Sequence, residues 1–153
     1  MIRITDALLG EHGVFYAQFD YLEDLVRHPV ESGQLQHAAA LLAAGLIPHA
    51  RLENELLFDT LEPRLGPPGM PLPVMREEHE SIEAGLLLAQ RSRDPLEVAQ
   101  LIETAVAAAR DHFAKEEEVL FPLAEQTLEE SVLYELGREW ARRRAVRLAA
   151  GVR

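Results

Sequence analysis

Residues 49–58 read HARLENELLF and residues 112–121 read HFAKEEEVLF, so one short motif occurs twice, 63 residues apart. Five of the ten positions are identical, among them the leading histidine, the glutamate four residues later and the closing phenylalanine. A further histidine precedes each copy, and these two, His12 and His79, are 67 residues apart. The pattern predicts a duplicated helical hairpin, in which both halves contribute equivalent residues to one site.

The sequence around the motifs is typical of helices almost throughout, because Ala and Leu are abundant and no stretch alternates polar and apolar residues at strand period. We predict a first helix that starts at an N-cap at Thr5 or Asp6 and ends near residue 27, and further helices near 33–62, 74–91 and 95–126, the last capped by Asp94. The predicted inward faces are Leu8, His12, Phe15, Phe19, Leu22 and Val26; Ala38, Leu42, Gly45, His49, Leu52 and Leu56; Met75, His79, Ile82, Leu86 and Ala89; and Leu101, Ala105, Ala108, His112, Glu116 and Val119.

The connecting segments complete the predicted architecture. Residues 63–73, PRLGPPGMPLP, hold five of the nine prolines and predict a linker without helix. The sequence TLEE from Thr127 resembles a capping box and predicts a shorter fifth helix. We therefore expect an all-α fold, an antiparallel up-down-up-down four-helix bundle built from two hairpin repeats at 1–127. An Arg-rich C-terminal helix within 128–153 packs on it.

Composition narrows the class of protein. The chain has 153 residues, which favours one domain, and no cysteine, which excludes thiolate metal sites and disulfides. A formal net charge of -11 repels phosphate backbones, so we expect no nucleic-acid partner. No apolar run or leader pattern suggests a membrane, and a cytoplasmic protein is the expectation.

Four of the six histidines lie on the predicted inward faces, one on each helix, at matching distances from the helix ends. His49 and His112 are each followed four residues later by a glutamate, Glu53 and Glu116, on the same helix face. Six such groups left unpaired in an apolar core would be costly, and metal ligation removes that cost. Imidazole and carboxylate ligands without thiolate suit iron, with manganese or zinc left open.

The ordered pattern of four histidines and two glutamates, with Leu120-Phe121-Pro122 after the last, resembles the hemerythrin-like, or HHE cation-binding, family over residues 5–125. The resemblance implies a non-haem centre of two iron ions, joined by an oxo or hydroxo bridge. It also implies four terminal histidine ligands, with Glu53 and Glu116 as bridging ligands. The oxygen-carrying hemerythrins have a histidine and an aspartate where this chain has Glu83 and Glu117, so the chain resembles a glutamate-rich branch of the family instead.

Other residues near the pattern receive separate interpretations. Tyr16 and Glu83 lie four residues after His12 and His79, so they face the site either as additional ligands or as hydrogen-bonding neighbours of the ligands. Glu117 and Glu118 are expected on a solvated face. His28 and His37 are expected to be exposed, and four phenylalanines to pack in the core: Phe15, Phe19, Phe58 and Phe121.

Three functions compete at this stage. The first is redox work or sensing with O2, H2O2 or NO at the di-iron centre, with peroxide decomposition as one activity. The second is a metal-responsive sensor or iron-storage module without turnover. The third is a mononuclear zinc or nickel hydrolase or transferase, which the surplus of ligands speaks against. Besides small molecules, the sequence leaves open a homodimer formed through the C-terminal helix.

Overall fold

The computed structural model describes residues 1–28, 31–65 and 71–148, and every regular element within these ranges is helical. The elements are α1 (Ile4–Val26), α2 (Ser32–Leu52), a first π-helical turn (Glu53–Phe58), α3 (Asp59–Leu65), α4 (Leu72–Arg91), α5 (Pro95–Lys115), a second π-helical turn (Glu116–Leu120), α6 (Phe121–Thr127) and α7 (Glu130–Arg143). Each π-helical turn joins two α-helices into one longer helical segment. The all-helical fold predicted from the sequence is confirmed.

The four long segments form a bundle. Helix α1 packs against α2 and α5, and α4 packs against the same two helices. Short connections join α1 to α2 and α4 to α5, which is the arrangement of two antiparallel hairpins. Helix α7 lies outside this ring and packs mainly on α1.

The apolar core consists of two clusters, one towards each end of the bundle. The first includes Leu8, Leu57 and Leu72, and the second includes Phe19 and Leu86. On each of the four long segments, the core passes from one cluster to the other at the inward histidine or, on the fourth, just after it, where Phe113 still belongs to the second cluster. The four histidines therefore lie in one polar layer between two apolar layers, at the matching heights that the sequence indicated.

The predicted helix starts near the chain ends were wrong. Helix α1 begins at Ile4, and its N-cap, Arg3, makes no side-chain capping bond. The Thr5 hydroxyl instead donates to Glu125 at 2.6 Å, so a tertiary acceptor replaces the expected backbone partner. The TLEE sequence does not cap α7 either, because Thr127 still belongs to α6 and the buried Leu128 takes an extended conformation that ends that helix.

The predicted linker was too long at both ends. Helix α3 continues through Pro63 to Leu65, where the missing proline N–H costs one hydrogen bond close to the helix end. Helix α4 begins at Leu72, and Pro73 is tolerated because the first N–H groups of a helix have no partner within it. The centre of the predicted linker, residues 66–70, lies outside the described residues.

The predicted inward face of the fourth long segment was partly wrong. Ala108 and Val119 are exposed and Leu101 is half-buried, whereas Val98, Ile102 and Leu120 are buried. Near Val119 the cause is the second π-helical turn, whose closing bond joins the Phe121 N–H to the Glu116 carbonyl, five residues back. The extra residue rotates the later side chains, so the core position moves from 119 to 120. The other three faces are confirmed, with Val26, Ala38 and Gly45 only half-buried.

Helix α7 meets the N-terminal segment at close range. A Cβ atom at Gly137 would lie 2.0 Å from the Ile2 carbonyl oxygen, so only glycine allows this approach. The helix ends at Arg143 with Arg144 as its C-cap, and the next residue, Ala145, has a φ of 54°, the left-handed conformation typical of the residue after a helix cap. The division of the chain at residue 127 and dimerisation through α7 stay predictions.

Among the described residues, none of the helices combines the length and the apolar character needed to span a bilayer.

Candidate metal centre

The six side chains predicted to converge do so in the polar layer of the bundle. Each is at most 7 % exposed: His12, His49, Glu53, His79, His112 and Glu116. Glu53 Oε1 lies 3.1 Å from His49 Nε2, and Glu53 Oε2 lies 3.3 Å from His79 Nε2. Glu116 Oε1 lies 3.2 Å from His112 Nε2, and Glu116 Oε2 lies 3.4 Å from His12 Nε2. Each carboxylate therefore reaches one histidine from each half of the repeat.

The donor atoms form two groups that share both carboxylates. One group joins His12 and His49 to the two glutamates, and the other joins His79 and His112 to the same two. Within each group one ligand atom per residue lies within 4.8 Å of all the others, which is a separation that one cation can span. We call these groups the first position (His12 and His49) and the second position (His79 and His112).

Eight buried atoms at the centre lack a hydrogen bond: the four histidine Nε2 atoms and all four carboxylate oxygens of Glu53 and Glu116. Burying unpaired polar groups costs about 1–3 kcal/mol each in mutational data, and charged groups cost more. All eight atoms are Lewis bases of the kind that bind first-row transition metals or zinc. The donor set therefore fits two cations that share two carboxylates.

The other ring nitrogen of each histidine has a hydrogen-bond acceptor. His12 Nδ1 lies 2.8 Å from Glu117 Oε1, and His49 Nδ1 lies 2.7 Å from Glu11 Oε2. His112 Nδ1 lies 2.8 Å from Glu78 Oε2, while the acceptor for His79 Nδ1 is the amide oxygen of Asn54 at 3.2 Å. An acceptor at Nδ1 keeps a proton on that nitrogen, so a metal ion that takes the place of any Nε2 proton meets a lone pair directed at the centre, as in histidines that bind metals.

These four acceptors follow the repeat, but the sequence analysis missed them. Glu11 and Glu78 each precede the first histidine of a half, and each binds the second histidine of the same half. Asn54 and Glu117 each follow a central glutamate, and each binds the first histidine of the other half. The dipeptide Glu-His at 11–12 and 78–79 was the available signal. The expectation that Glu117 faces solvent was wrong, whereas Glu118 is exposed as expected.

Helix α7 reaches the centre through one carboxylate. Trp140 Nε1 donates to Glu11 Oε1 at 2.7 Å. Arg144 donates to both Glu11 oxygens, at 2.7 and 2.6 Å. Because Glu11 also accepts from His49, it connects the C-terminal helix to the first position. Burial raises the pKa of Glu11, but the hydrogen bonds with His49 and Arg144 outweigh it and bring the pKa down to about 2.

The two additional residues proposed from the sequence lie on different sides of the centre. The Tyr16 hydroxyl donates to Glu117 Oε1 at 3.0 Å, and burial together with that carboxylate raises the pKa of Tyr16 to about 12. Tyr16 is thus a neutral hydrogen-bond donor, and it is connected to the central atoms through Glu117 and His12. Glu83 is half-buried and lines a cavity of about 20 Å³ beside His49, His79 and His112. Ligation by Tyr16 or Glu83 stays a prediction.

Aromatic side chains enclose the centre. The Phe113 ring, which the predicted helix face did not include, stacks on His12 at 3.7 Å between centroids with an interplanar angle of 6°. Phe58 stacks on His79 at 5.6 Å and 12°. All four phenylalanines predicted in the core are buried, and His28 and His37 are exposed as expected. The rings restrict imidazole rotation and exclude water, which strengthens electrostatic interactions at the centre.

The electrostatics of the centre favour positive charge. Burial alone would lower the pKa of His12, but the neighbouring Glu116 and Glu53 carboxylates have the larger effect and raise it to about 10. Burial likewise lowers the pKa of His49, while Glu53 and Glu11 raise it to about 9. Burial raises the pKa of Glu53, yet the surrounding histidines hold it well below its usual range. Protons and metal cations therefore compete for the same cluster.

Comparison with protein families identifies the family of the chain. The model of the hemerythrin HHE cation-binding domain matches residues 3–91 and 70–145, which include all six central residues. No curated protein and no solved structure matches the chain.

Proposed function

Because this chain belongs to the hemerythrin HHE cation-binding family, we propose that it binds two iron ions in the polar layer of the bundle and handles or senses O2, H2O2 or NO there. The observation that carries the proposal is the set of eight unpartnered donor atoms, divided into two groups that share Glu53 and Glu116. A single cation at one position would leave the two histidine Nε2 atoms of the other position without a partner in the core.

In this proposal each histidine is a terminal ligand through Nε2, and each glutamate bridges the two ions. The Nδ1 acceptors support this assignment, because they orient the rings and increase their basicity. Iron would supply redox chemistry with small oxidants. The protein would contribute ligand geometry, an enclosed site and a restricted entrance.

The cavity beside the centre has room for a small molecule from solution, which supports the proposed function. It touches histidines of both positions, and its volume of about 20 Å³ suits a molecule close to water in size. Its wall is mainly apolar, with Leu46, Ile82 and Leu86, so diatomic molecules and peroxide would enter more readily than charged metabolites. Glu83 is the acidic residue of this wall and could exchange protons with a molecule inside.

Anaerobic loading of the metal-free protein with Fe²⁺ tests the proposal. We expect two iron ions per chain, and near-ultraviolet charge-transfer absorption after exposure to air. The variant Glu53→Ala should lose both ions, because both groups use this residue, while Glu118→Ala, at an exposed position of the second motif, should load normally. Uptake of at most one ion by the wild-type chain contradicts the proposal.

A sensor without turnover is the second candidate, and one observation favours it. Glu11 joins His49 to Trp140 of α7 and to Arg144, the C-cap of that helix, so a metal ion at the first position would affect contacts at the surface of the bundle. Peroxide consumption by the iron-loaded protein separates the candidates. Sustained turnover favours a redox enzyme, whereas a change in Trp140 emission on loading, without turnover, favours a sensor.

A further inference from the structure

The hydrogen-bond acceptors around the centre follow the repeat at one pair of positions and differ at the other. Glu11 and Glu78 are equivalent, and each carries a basic partner, Arg144 and Lys115 respectively. The other equivalent pair is Glu117, which binds His12, and Asn54, which binds His79. One histidine of the first position thus bonds to a carboxylate where its counterpart in the second position bonds to a neutral amide.

The charge on Glu117 is not neutralised by a basic side chain. Among the described residues, its ion-pair contact is with His12 alone. Tyr16 donates a neutral hydrogen bond to the same oxygen, which leaves the formal charge in place. A carboxylate acceptor makes an imidazole a stronger electron donor than an amide acceptor does, and such partners typically change metal affinity by about 10–100-fold.

Resting on the proposed function, we propose that the two metal positions are inequivalent. The first position, with His12 and His49, binds a transition-metal cation more tightly than the second. It also favours the higher oxidation state when the bound metal is iron. The difference arises from Glu117 on one side of the centre and Asn54 on the other.

The remaining acid near the histidines does not cancel this difference. Glu83 lines the cavity, but that cavity touches His49 of the first position as well as both histidines of the second. Within the described residues Glu83 is in no hydrogen bond to an imidazole, so it does not act on Nδ1. The difference between the two positions in the charge that contacts Nδ1 therefore comes from Glu117 and Asn54.

Two isosteric substitutions test the proposal by changing charge while keeping shape. Glu117→Gln removes the carboxylate from the first position, and Asn54→Asp adds one to the second. The metal-free protein, labelled with ¹⁵N-histidine, is titrated with Zn²⁺, and ring-nitrogen NMR shifts show which histidine pair is metallated first. Calorimetry of the same samples gives the two stepwise affinities.

In the wild-type protein we expect His12 and His49 to be metallated first. Glu117→Gln should weaken the first position roughly 10-fold or more, and Asn54→Asp should strengthen the second by a similar factor. The double variant should reverse the order of filling. Glu118→Gln is the matched control, because it removes the same charge from the adjacent exposed residue and should leave the order unchanged.

Simultaneous filling in the wild type, or an order that neither variant changes, overturns the inference while leaving a two-metal site intact. Uptake of fewer than two Zn²⁺ ions by the wild-type chain instead contradicts the proposed function, and the inference falls with it. Circular dichroism confirms that each variant is folded. Because the variants act on opposite sides of the centre, one of them suffices if the other does not fold.

Discussion

Replacing Gly137 by alanine should detach α7 from the bundle. The added Cβ would lie 2.0 Å from the Ile2 carbonyl oxygen and 3.1 Å from the Arg3 carbonyl carbon. Nonbonded heavy atoms favour separations of roughly 3.5 Å, so α7 must retreat by more than about 1 Å. Both obstructing atoms belong to the backbone, and a side-chain rotation cannot make room for the methyl group.

The cost follows from what the retreat strains and breaks. Overpacking of a tight contact costs about 1–3 kcal/mol. A displacement of this size also stretches the hydrogen bonds from Trp140 and Arg144 to Glu11, now 2.6–2.7 Å long. Each hydrogen bond to a charged group contributes about 1.5–3 kcal/mol. We therefore expect Gly137→Ala to lower the free energy of unfolding by about 3 kcal/mol or more.

Urea unfolding followed by the emission of Trp140, the one tryptophan of the chain, measures both effects. Loss of the Glu11 bond and of burial should shift the emission to longer wavelength before global unfolding. Gly10→Ala is the matched control, because beyond the neighbouring backbone of its own helix no atom lies within 4 Å of its added Cβ. In mid-helix, alanine should stabilise the protein by about 0.8–1 kcal/mol relative to glycine. A Gly137→Ala protein with wild-type stability and emission refutes the reasoning about α7.

Three further predictions concern the centre and the end of α7. Because the pKa values of His12 and His49 are raised to about 10 and 9, both rings carry a proton on each nitrogen at pH 7.5 in the metal-free protein. Metal uptake should therefore release at least two protons, one from each ring. Calorimetric heats of metal binding that do not vary with the ionisation enthalpy of the buffer contradict this prediction. The same shifts stabilise the metal-free fold fully below pH 6.5, and this stabilisation should be lost as the pH rises towards 10, which urea unfolding across that range measures. Ala145→Gly should stabilise the protein by about 1 kcal/mol in thermal unfolding, since φ is 54° there, and an unchanged midpoint would argue against that strain.

The four histidines and two glutamates at the centre could be predicted, because helical periodicity indicates which residues face a core. A histidine at a core position is unusual, and four of them on four helices reinforce one another. The duplication adds a second, independent signal, because Glu53 and Glu116 occupy the same place in each half. Both signals depend only on spacing along one helix, which is the information that a single sequence carries best.

The residues that accept hydrogen bonds from these histidines could not be predicted in the same way. Whether Glu117 contacts His12 depends on how two helices that are distant in sequence pack and rotate against each other. The π-helical turns make this harder, because one extra residue per turn moves Leu120 inward and Val119 outward. Nothing in the residue types around Glu116 distinguishes such a turn from an ordinary helix. The predicted start of the first helix was wrong for a related reason, because the Thr5 hydroxyl donates to Glu125, a residue distant in sequence.

The placement of the two π-helical turns has a physical explanation in the site itself. Each begins at a central glutamate and closes with a hydrogen bond over five residues, from Asp59 to Asn54 and from Phe121 to Glu116. A regular helix offers its neighbours one inward face, with positions 3 or 4 residues apart. The extra residue lets Glu116 point to the centre while the next residue, Glu117, reaches a histidine on another helix, and the chain still returns Leu120 to the core. Deleting the exposed Glu118 from the second turn should therefore restore a regular helix in which Leu120 lies three residues after Glu116 and stays in the core, while Glu117 loses the rotation that brings it to His12. We expect nearly wild-type stability in urea unfolding and a changed ring-nitrogen NMR signal for His12. An unchanged His12 signal would show that the turn is not needed to combine the site with the core.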